Sequence, residues 1–457
     1  MILKKNVNNY LFIYLISHLL IWTLIPSVVN TNLPLDTIEA LAWGSDLKWG
    51  FEKHPPMSGL MVEIIFQLFG NNDWAFYLLS QIFLTFTFFI VWKFSNEIFK
   101  DKILSLISVL MLSGFFFYNY TTPEFNVNIC QLPFWALTVL YGWRSFNVKD
   151  KISNWLFFGL FASFGFLSKY LFIFLLIGIK IFYLYFLIKK KKINIYYFIP
   201  GLIFLTVISP HLIWLSQNEY VTVLYGLSRS NIETGNFLNH LINPLIFLIK
   251  QSIILVPIVL MTYVLLEKIK INININNTLI YLVCINILPF ILILLYSLLT
   301  GAKIRTMWMT PFYIFFPAMI LFIFKKFVLL KNLKKFFLIF FIIFLISPMT
   351  YFAVSVLDKN KRTDYPGREI ADLVQRKWDK NFSNEITIVV GDEWAAGNLS
   401  YHLVSRPKWL RSLKTMSKEL DENQGVIYAG NPDILKKICP GEFGTIRPTG
   451  YCMIGRR

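Results

Sequence analysis

Two carboxylates three residues apart, Asp36 and Glu39, precede the run Lys53-His54-Pro55-Pro56, and a third, Glu124, follows Thr122-Pro123. On a helix that three-residue spacing puts both acids on one face, where a pair can orient a hydroxyl and take its proton. The same spacing suits a capping box, with Asp36 as N-cap and Glu39 at N3. Glu124 is the only charge between Asn119 and Asn126, and a lone carboxylate beside hydrocarbon is costly enough to suggest a task. Its bland alternative is stabilising the N-terminus of the next helix through the macrodipole. Lys169, in Ser168-Lys169-Tyr170, and Lys303 and Arg305, after Gly301, are cations suited to a phosphate or carboxylate, or to snorkelling at an interface. His54 offers a base, a phosphate donor or a structural ring ahead of two prolines.

These groups must be held by apolar elements. Of 457 residues 56% are hydrophobic and 15% charged, against about 45–50% and about 25% in soluble proteins. About eleven stretches approach the roughly 20 apolar residues of a membrane span. They lie near 10–25, 74–93, 103–118, 129–145, 155–169, 170–188, 195–215, 247–266, 277–299, 308–324 and 336–355. The composition excludes an ordinary soluble enzyme and a disordered chain, and predicts a polytopic α-helical membrane protein.

The formal charge of +18 would suggest nucleic acid on a soluble protein. Here its location decides, because basic residues gather in cytoplasmic loops. With the N-terminus inside, the inside loops carry Lys4, Lys5, Lys93, Lys100, Lys102, Arg144, Lys149, Lys151, Lys189 to Lys192, Lys268, Lys270, Lys325, Lys326, Lys331, Lys334 and Lys335. Their acids are only Glu97, Asp101, Asp150 and Glu267. No nucleic-acid partner is expected. The first loop, Pro26–Asp73, falls outside with Asp36, Glu39, Lys53 and His54, and its apolar stretch Met57–Phe69 is too short to span and suits the interface.

An odd number of spans also puts the tail outside. Residues 1–355 read as the membrane domain and 356–457 as a small soluble α/β domain, since the apolar runs Ile386–Val390 and Gly425–Tyr428 alternate with the helical patterns Gly367–Trp378 and Ala395–Val404. Cys439 and Cys452 in that tail are candidates for a disulfide, which an exported compartment permits, or are two free thiols.

No Walker-type loop, dinucleotide fingerprint, HExxH or cysteine–histidine cluster occurs, which removes support for nucleotide-driven transport and for a soluble nucleotide-sugar site. Nothing in the sequence requires a cofactor; a divalent metal is compatible but not implied.

Several landmarks recur in order: Asp36-Thr37-Ile38-Glu39, Lys53-His54-Pro55-Pro56-Met57 with Leu68-Phe69-Gly70, Thr122-Pro123-Glu124, Ser168-Lys169-Tyr170, Pro210-His211 with Trp214, and Met307-Trp308-Met309-Thr310-Pro311. On these the chain resembles the multi-span membrane glycosyltransferases of the GT-C fold, the superfamily of protein O-mannosyltransferases and bacterial aminoarabinose transferases of lipid A (glycosyltransferase family 39/83-like). The resemblance implies an inverting transfer of a sugar from a polyprenyl-phosphate donor to a hydroxyl or phosphate of a lipid A, glycan or protein acceptor. It implies Asp36, Glu39 and Glu124 as catalytic acids, and Lys53, His54 and Lys169 as donor-phosphate ligands; Lys303 and Arg305, by their position, add positive charge to the same face and are further candidates for that phosphate. It also implies residence in a bacterial inner membrane, with the C-terminal domain in the periplasm. Two departures are visible: the first-loop acids are usually adjacent in that superfamily, and the second-loop acid is usually Asp.

The competing class is a transporter or flippase of lipid-linked sugars. Against it, the chain lacks paired hydrophobic halves and carries no acid inside a span. An envelope scaffold would leave Asp36, Glu39 and Glu124 without a task.

Overall fold

The computed structural model describes residues 2–147, 151–191, 195–230, 237–268, 275–412, 424–446 and 448–457. Lys149, Asp150, Lys192 and Lys270, used in the charge pattern, lie outside the described residues. The chain folds into a helical membrane part followed by a small sheet. Its helices are α1 (Ile2–Val29), α2 (Leu35–Gly44), α3 (Met57–Phe69), α4 (Asp73–Phe99), α5 (Lys102–Leu110), α6 (Val127–Asn147), α7 (Ile152–Ser168), α8 (Ile173–Lys190), α9 (Ile199–Gln217), α10 (Val221–Arg229), α11 (Asn239–Leu265), α12 (Asn277–Thr300), α13 (Phe316–Phe324) and α14 (Leu333–Leu357).

Among the described residues seven helices are long and apolar enough to cross a membrane, or eight if a bent pair counts as one. This is a multi-pass membrane protein. Every segment expected to span is helical, but not all are single straight spans. The stretch at 308–324 is a 3-10 helix, Thr306–Tyr313, bent by 51° against Phe316–Phe327, where Pro311 and Pro317 interrupt the hydrogen-bond ladder. The stretch at 103–118 is α5 breaking into 3-10 turns at Met111–Gly114 and Phe116–Tyr118. The helix over 155–169 is the short α7, and α6, 21 residues long, contains Pro133.

The tail forms α15 (Gly367–Asn381), β1 (Ile386–Val390), α16 (Ala395–His402), β2 (Lys408–Leu410), β3 (Gly425–Gly430), α17 (Pro432–Ile438), β4 (Glu442–Ile446) and β5 (Thr449–Ile454). The sheet order is β2-β1-β3-β5-β4. β1 pairs in parallel with β2 and β3, and β5 runs antiparallel to β3 and β4. Cys439 and Cys452 are joined as a disulfide, tying the end of α17 to β5. β2, β4 and β5 escaped the sequence reading because they are short or carry glycines (Gly444, Gly450) that dilute their apolar pattern.

The sheet domain sits on the first loop. Gly397 of α16 approaches α2 so closely that a Cβ there would lie 3.2 Å from atoms of Ile38 and Ala42. Arg406 reaches back to Glu63 and to the Leu41 carbonyl (2.8 and 2.7 Å), and Tyr401 donates to Asp73 (2.6 Å). The first loop and the tail therefore lie on one side of the membrane, which requires an even number of crossings between them.

Candidate active site

The first loop is fixed from below by residues of the membrane part. His211, on α9, contacts the Trp49 carbonyl through Nδ1 (2.5 Å) and the Tyr170 hydroxyl through Nε2 (2.7 Å). A carbonyl only accepts, so Nδ1 carries the proton and, in the neutral ring, Nε2 accepts from Tyr170. Trp214 stacks on His211 and lies where a Cβ on Gly50 would be, 2.4 Å from one of its ring carbons, so only glycine fits there. Thr222 donates to the Phe51 carbonyl (2.5 Å). The Pro210-His211 and Trp214 landmark is thus a clamp on the chain that leads into Lys53 and His54.

The second loop is anchored in the same way. Gln81 of α4 donates to Thr122 through its carbonyl and hydroxyl (3.2 and 3.1 Å). Asn126 caps α6 by accepting from the backbone N–H groups of Asn128 and Ile129. That leaves Glu124 free of the capping task its position suggested, and it turns to α2 instead. The backbone N–H of Asp36 donates to Glu124 Oε1 (3.0 Å), and the Thr37 hydroxyl donates to the Phe125 carbonyl (3.1 Å).

The capping box does not form. α2 has Pro34 at its N-cap with no side-chain cap, so Asp36 stands one turn position inside the helix. Its backbone amide, one of the unpaired N–H groups of the first turn, is satisfied by an oxygen of Glu124 from the other loop.

Asp36, Glu39, Lys53, His54, Glu124, Lys169 and Arg305 all line one cavity of about 870 Å³. Lys303 does not line it, and its side chain is exposed. Burial raises the Asp36 carboxyl above the usual carboxylate value, opposed by the charges of Lys169, Lys53, Arg229 and Arg362. Burial, with the Asp36 charge, pushes Glu124 up to about 8 against the pull of the Asp36 N–H. One proton therefore stays on Glu124 near neutrality, while Asp36 faces the cations.

The predicted cations fall into different states. Lys53 is bound by Glu39 (2.8 Å) and by Glu393 from the sheet domain (3.1 Å). Burial disfavours its charge, but the two acids outweigh that and hold it above its ordinary value. Its charge, and that of Glu39, is largely spent within this trio. His54 is pushed down to about 3 by burial and by the charges of Lys169, Lys53 and Arg229, so it is a neutral ring packed edge-on against Trp43 and Tyr225. Lys169 is buried, donates to Asn128 Oδ1 (2.5 Å) and lies 5.6 Å from the Trp308 ring centre.

Three cavity cations were not singled out from sequence, and one of them, Lys361, is paired with Asp364 (3.2 Å). Arg229 ends α10 and Arg362 opens the tail, and both line the cavity with Arg305. None of these three guanidiniums has an ion-pair partner among the described residues. Arg229 lies in no motif, and Arg362 lies beyond the last span, where no motif marks it. No group of three or more His, Cys, Asp or Glu side chains is placed to hold a metal among the described residues. The arrangement puts three guanidiniums and two interacting carboxyls on the wall of one cavity.

Compared with known proteins, residues 53–214 match the family Dolichyl-phosphate-mannose-protein mannosyltransferase. Over 153 residues the chain is 32% identical to the undecaprenyl phosphate-alpha-4-amino-4-deoxy-L-arabinose arabinosyl transferase of Wigglesworthia glossinidia brevipalpis. That match covers 32% of this chain and 26% of the relative, so it spans about a quarter of the relative's length. The fold is also that of ArnT from Cupriavidus metallidurans. The crystal structure bound to undecaprenyl phosphate superposes with a TM-score of 0.65 at 9% identity, covering 97% of this chain and 98% of that one. The apo crystal structure gives 0.60 at 9%, covering 98% of each. The chain has the GT-C fold. Within that GT-C framework the family match begins at Lys53 and ends at Trp214, so it encloses His54, Glu124, Lys169 and the His211 clamp but leaves Asp36 and Glu39 outside.

Proposed function

We propose that the protein is an inverting glycosyltransferase that takes a sugar from a polyprenyl-phosphate donor. The observation that carries this reading is the Asp36–Glu124 pair joined at 3.0 Å in a cavity that also presents Arg229, Arg305 and Arg362 without ion-pair partners among the described residues. The ArnT crystal structure of like fold was solved with undecaprenyl phosphate bound, which supports a lipid phosphate as the donor carrier.

In this reading an acceptor hydroxyl loses its proton to Asp36 as its oxygen attacks the anomeric carbon. The bond from that carbon to the phosphate oxygen breaks, the configuration inverts, and the polyprenyl phosphate leaves with its charge held by the guanidiniums and Lys169. A phosphate is a good leaving group, so no acid is needed behind it. Glu124 holds the start of α2, and with it Asp36, at the cavity wall. Glu39 keeps Lys53 in place.

The acceptor is a hydroxyl or phosphate on a lipid A, glycan or protein, reached from the periplasmic side of a bacterial inner membrane. The lysine-rich loops on the opposite side from Asp36 support that orientation. Mass spectrometry of envelope lipids and glycans, with and without the gene, tests the reading. One acceptor species should lack a sugar-sized increment when the gene is removed. Unchanged glycans with lipid-linked donor held on the wrong leaflet would support a flippase instead.

A further inference from the structure

The parallel half of the tail sheet delivers a charged side chain to the membrane cavity's wall. In open α/β sheets the carboxyl ends of parallel strands are where functional groups are presented. Here β1 ends at Val390 and turns at Gly391, where a Cβ would meet the Ala429 carbonyl oxygen at 2.3 Å. Asp392 then caps α16 by accepting from the N–H groups of Trp394 and Ala395, both at 2.8 Å. Strand end and helix cap together fix Glu393 between them. Its side chain, 10% exposed, reaches Lys53 (3.1 Å), with Arg411 from beyond β2 on its other side (3.9 Å). Arg411 pairs in turn with Glu52.

Glu393 does not line the cavity, whereas Lys53 does. A nearly buried carboxylate is expensive to keep unless its partners hold it, and the docking of the sheet domain does not need this one. Arg406 with Glu63, Tyr401 with Asp73, and Asn32 with Asn398 (2.8 Å) already join the two parts.

We propose that Glu393 is a positioning residue of the transfer site: from the soluble domain it fixes Lys53 opposite Glu39 and so sets the charge that Asp36 faces. This rests on the transferase reading given above. Asp36 is faced by Glu39 from its own helix, Lys53 from its own loop, Glu124 from the second loop, Lys169 from the break after α7, Arg229 from α10 and Arg362 from the tail. Of these, Glu393 contacts Lys53, and its charge also bears on Glu39 across that lysine. Removing the Glu393 charge leaves the Lys53 charge less neutralised and makes Asp36 easier to ionise. Removing Arg411 leaves Glu393 to act on Lys53 alone and makes Asp36 harder to ionise.

The test follows the initial rate of the sugar-sized mass increment against pH. It uses membrane vesicles from the producing cells, which carry the native donor and acceptor. Glu393→Gln should move the acid limb of the profile down by about half a pH unit, and Glu393→Asp should restore most of it. Arg411→Gln, at a half-exposed position that folding tolerates, should move the limb up. Lys408→Ala, which removes only the exposed contact to Asp46, should leave it in place. Unshifted limbs in both Glu393→Gln and Arg411→Gln overturn the proposal, as does the same shift in Lys408→Ala. If wild-type vesicles show transfer, that failure is confined to Glu393. If they show none, the transferase reading fails and takes this inference with it.

Discussion

Glu124 accepts a hydrogen bond from the backbone N–H of Asp36, at 3.0 Å, across two loops separated in the chain by α4 and α5. The contact makes the second-loop acid the cap of the first-loop helix. It couples the two carboxyls, because whichever ionises first makes the other harder to ionise.

That coupling predicts a stability signature. Glu124 is raised from its ordinary 4.5 to about 8 in the fold. Its contribution is therefore fully present below about pH 4.5, where both folded and unfolded chains hold the proton. It is lost as pH rises towards about 8, because the unfolded chain releases a proton that the fold retains. Glu124→Gln keeps a carbonyl acceptor for the Asp36 N–H and has no proton to lose. Unfolding midpoints in detergent should therefore diverge in favour of the variant between about pH 5 and 8, and run parallel above that. Parallel curves throughout would contradict the assignment.

The proposed donor-phosphate site divides the cations. Hydrogen bonds to a charged group contribute about 1.5–3 kcal/mol each. Arg305→Ala and Arg362→Ala should each weaken dependence on the lipid donor by about tenfold or more, read as a raised donor requirement in vesicle assays. Lys303→Ala, outside the cavity and exposed, should leave it unchanged.

The docked sheet predicts a structural effect separate from chemistry. Arg406, 11% exposed, binds Glu63 and the Leu41 carbonyl and lies 4.3 Å from the Phe66 ring centre. Arg406→Ala leaves the nearly buried Glu63 carboxylate without its cation, holding only the hydrogen bond from Gln67, and breaking such a pair costs about 3–5 kcal/mol. A lowered unfolding midpoint and faster proteolysis between α14 and β1 are expected, measured by thermal scanning and limited digestion.

Much of this was legible in the sequence because lipid is a strict solvent. Charges beside apolar runs stand out, and Asp36, Glu39, Lys53, His54, Glu124, Lys169 and Arg305 were found together for that reason. What could not be read is how those charges pair. Lys53 looked like a free cation, but Glu393 lies in a polar tail where one acid among several carries no mark. His54 was open between base, phosphate donor and structural ring, and burial together with the cations around it keeps it neutral, an environment that exists only once distant loops converge. The Asp36-x-x-Glu39 spacing fitted a capping box, yet Pro34 takes the cap position and Glu124 supplies the acceptor from another loop. The apolar stretch at 308–324 read as one span because hydropathy counts Pro311 and Pro317 without their effect on the backbone.

The central claim is that Asp36 takes the acceptor's proton during transfer. Cells lacking the native gene and supplied with either the wild-type chain or Asp36→Asn, at equal membrane levels and equal unfolding midpoints, allow a direct comparison of envelope lipids and glycans by mass spectrometry. Loss of a general base predicts that the sugar-sized increment falls by about 10²–10⁴-fold with Asp36→Asn, while the wild-type chain restores it. An increment of the same size and rate from both chains would contradict the account.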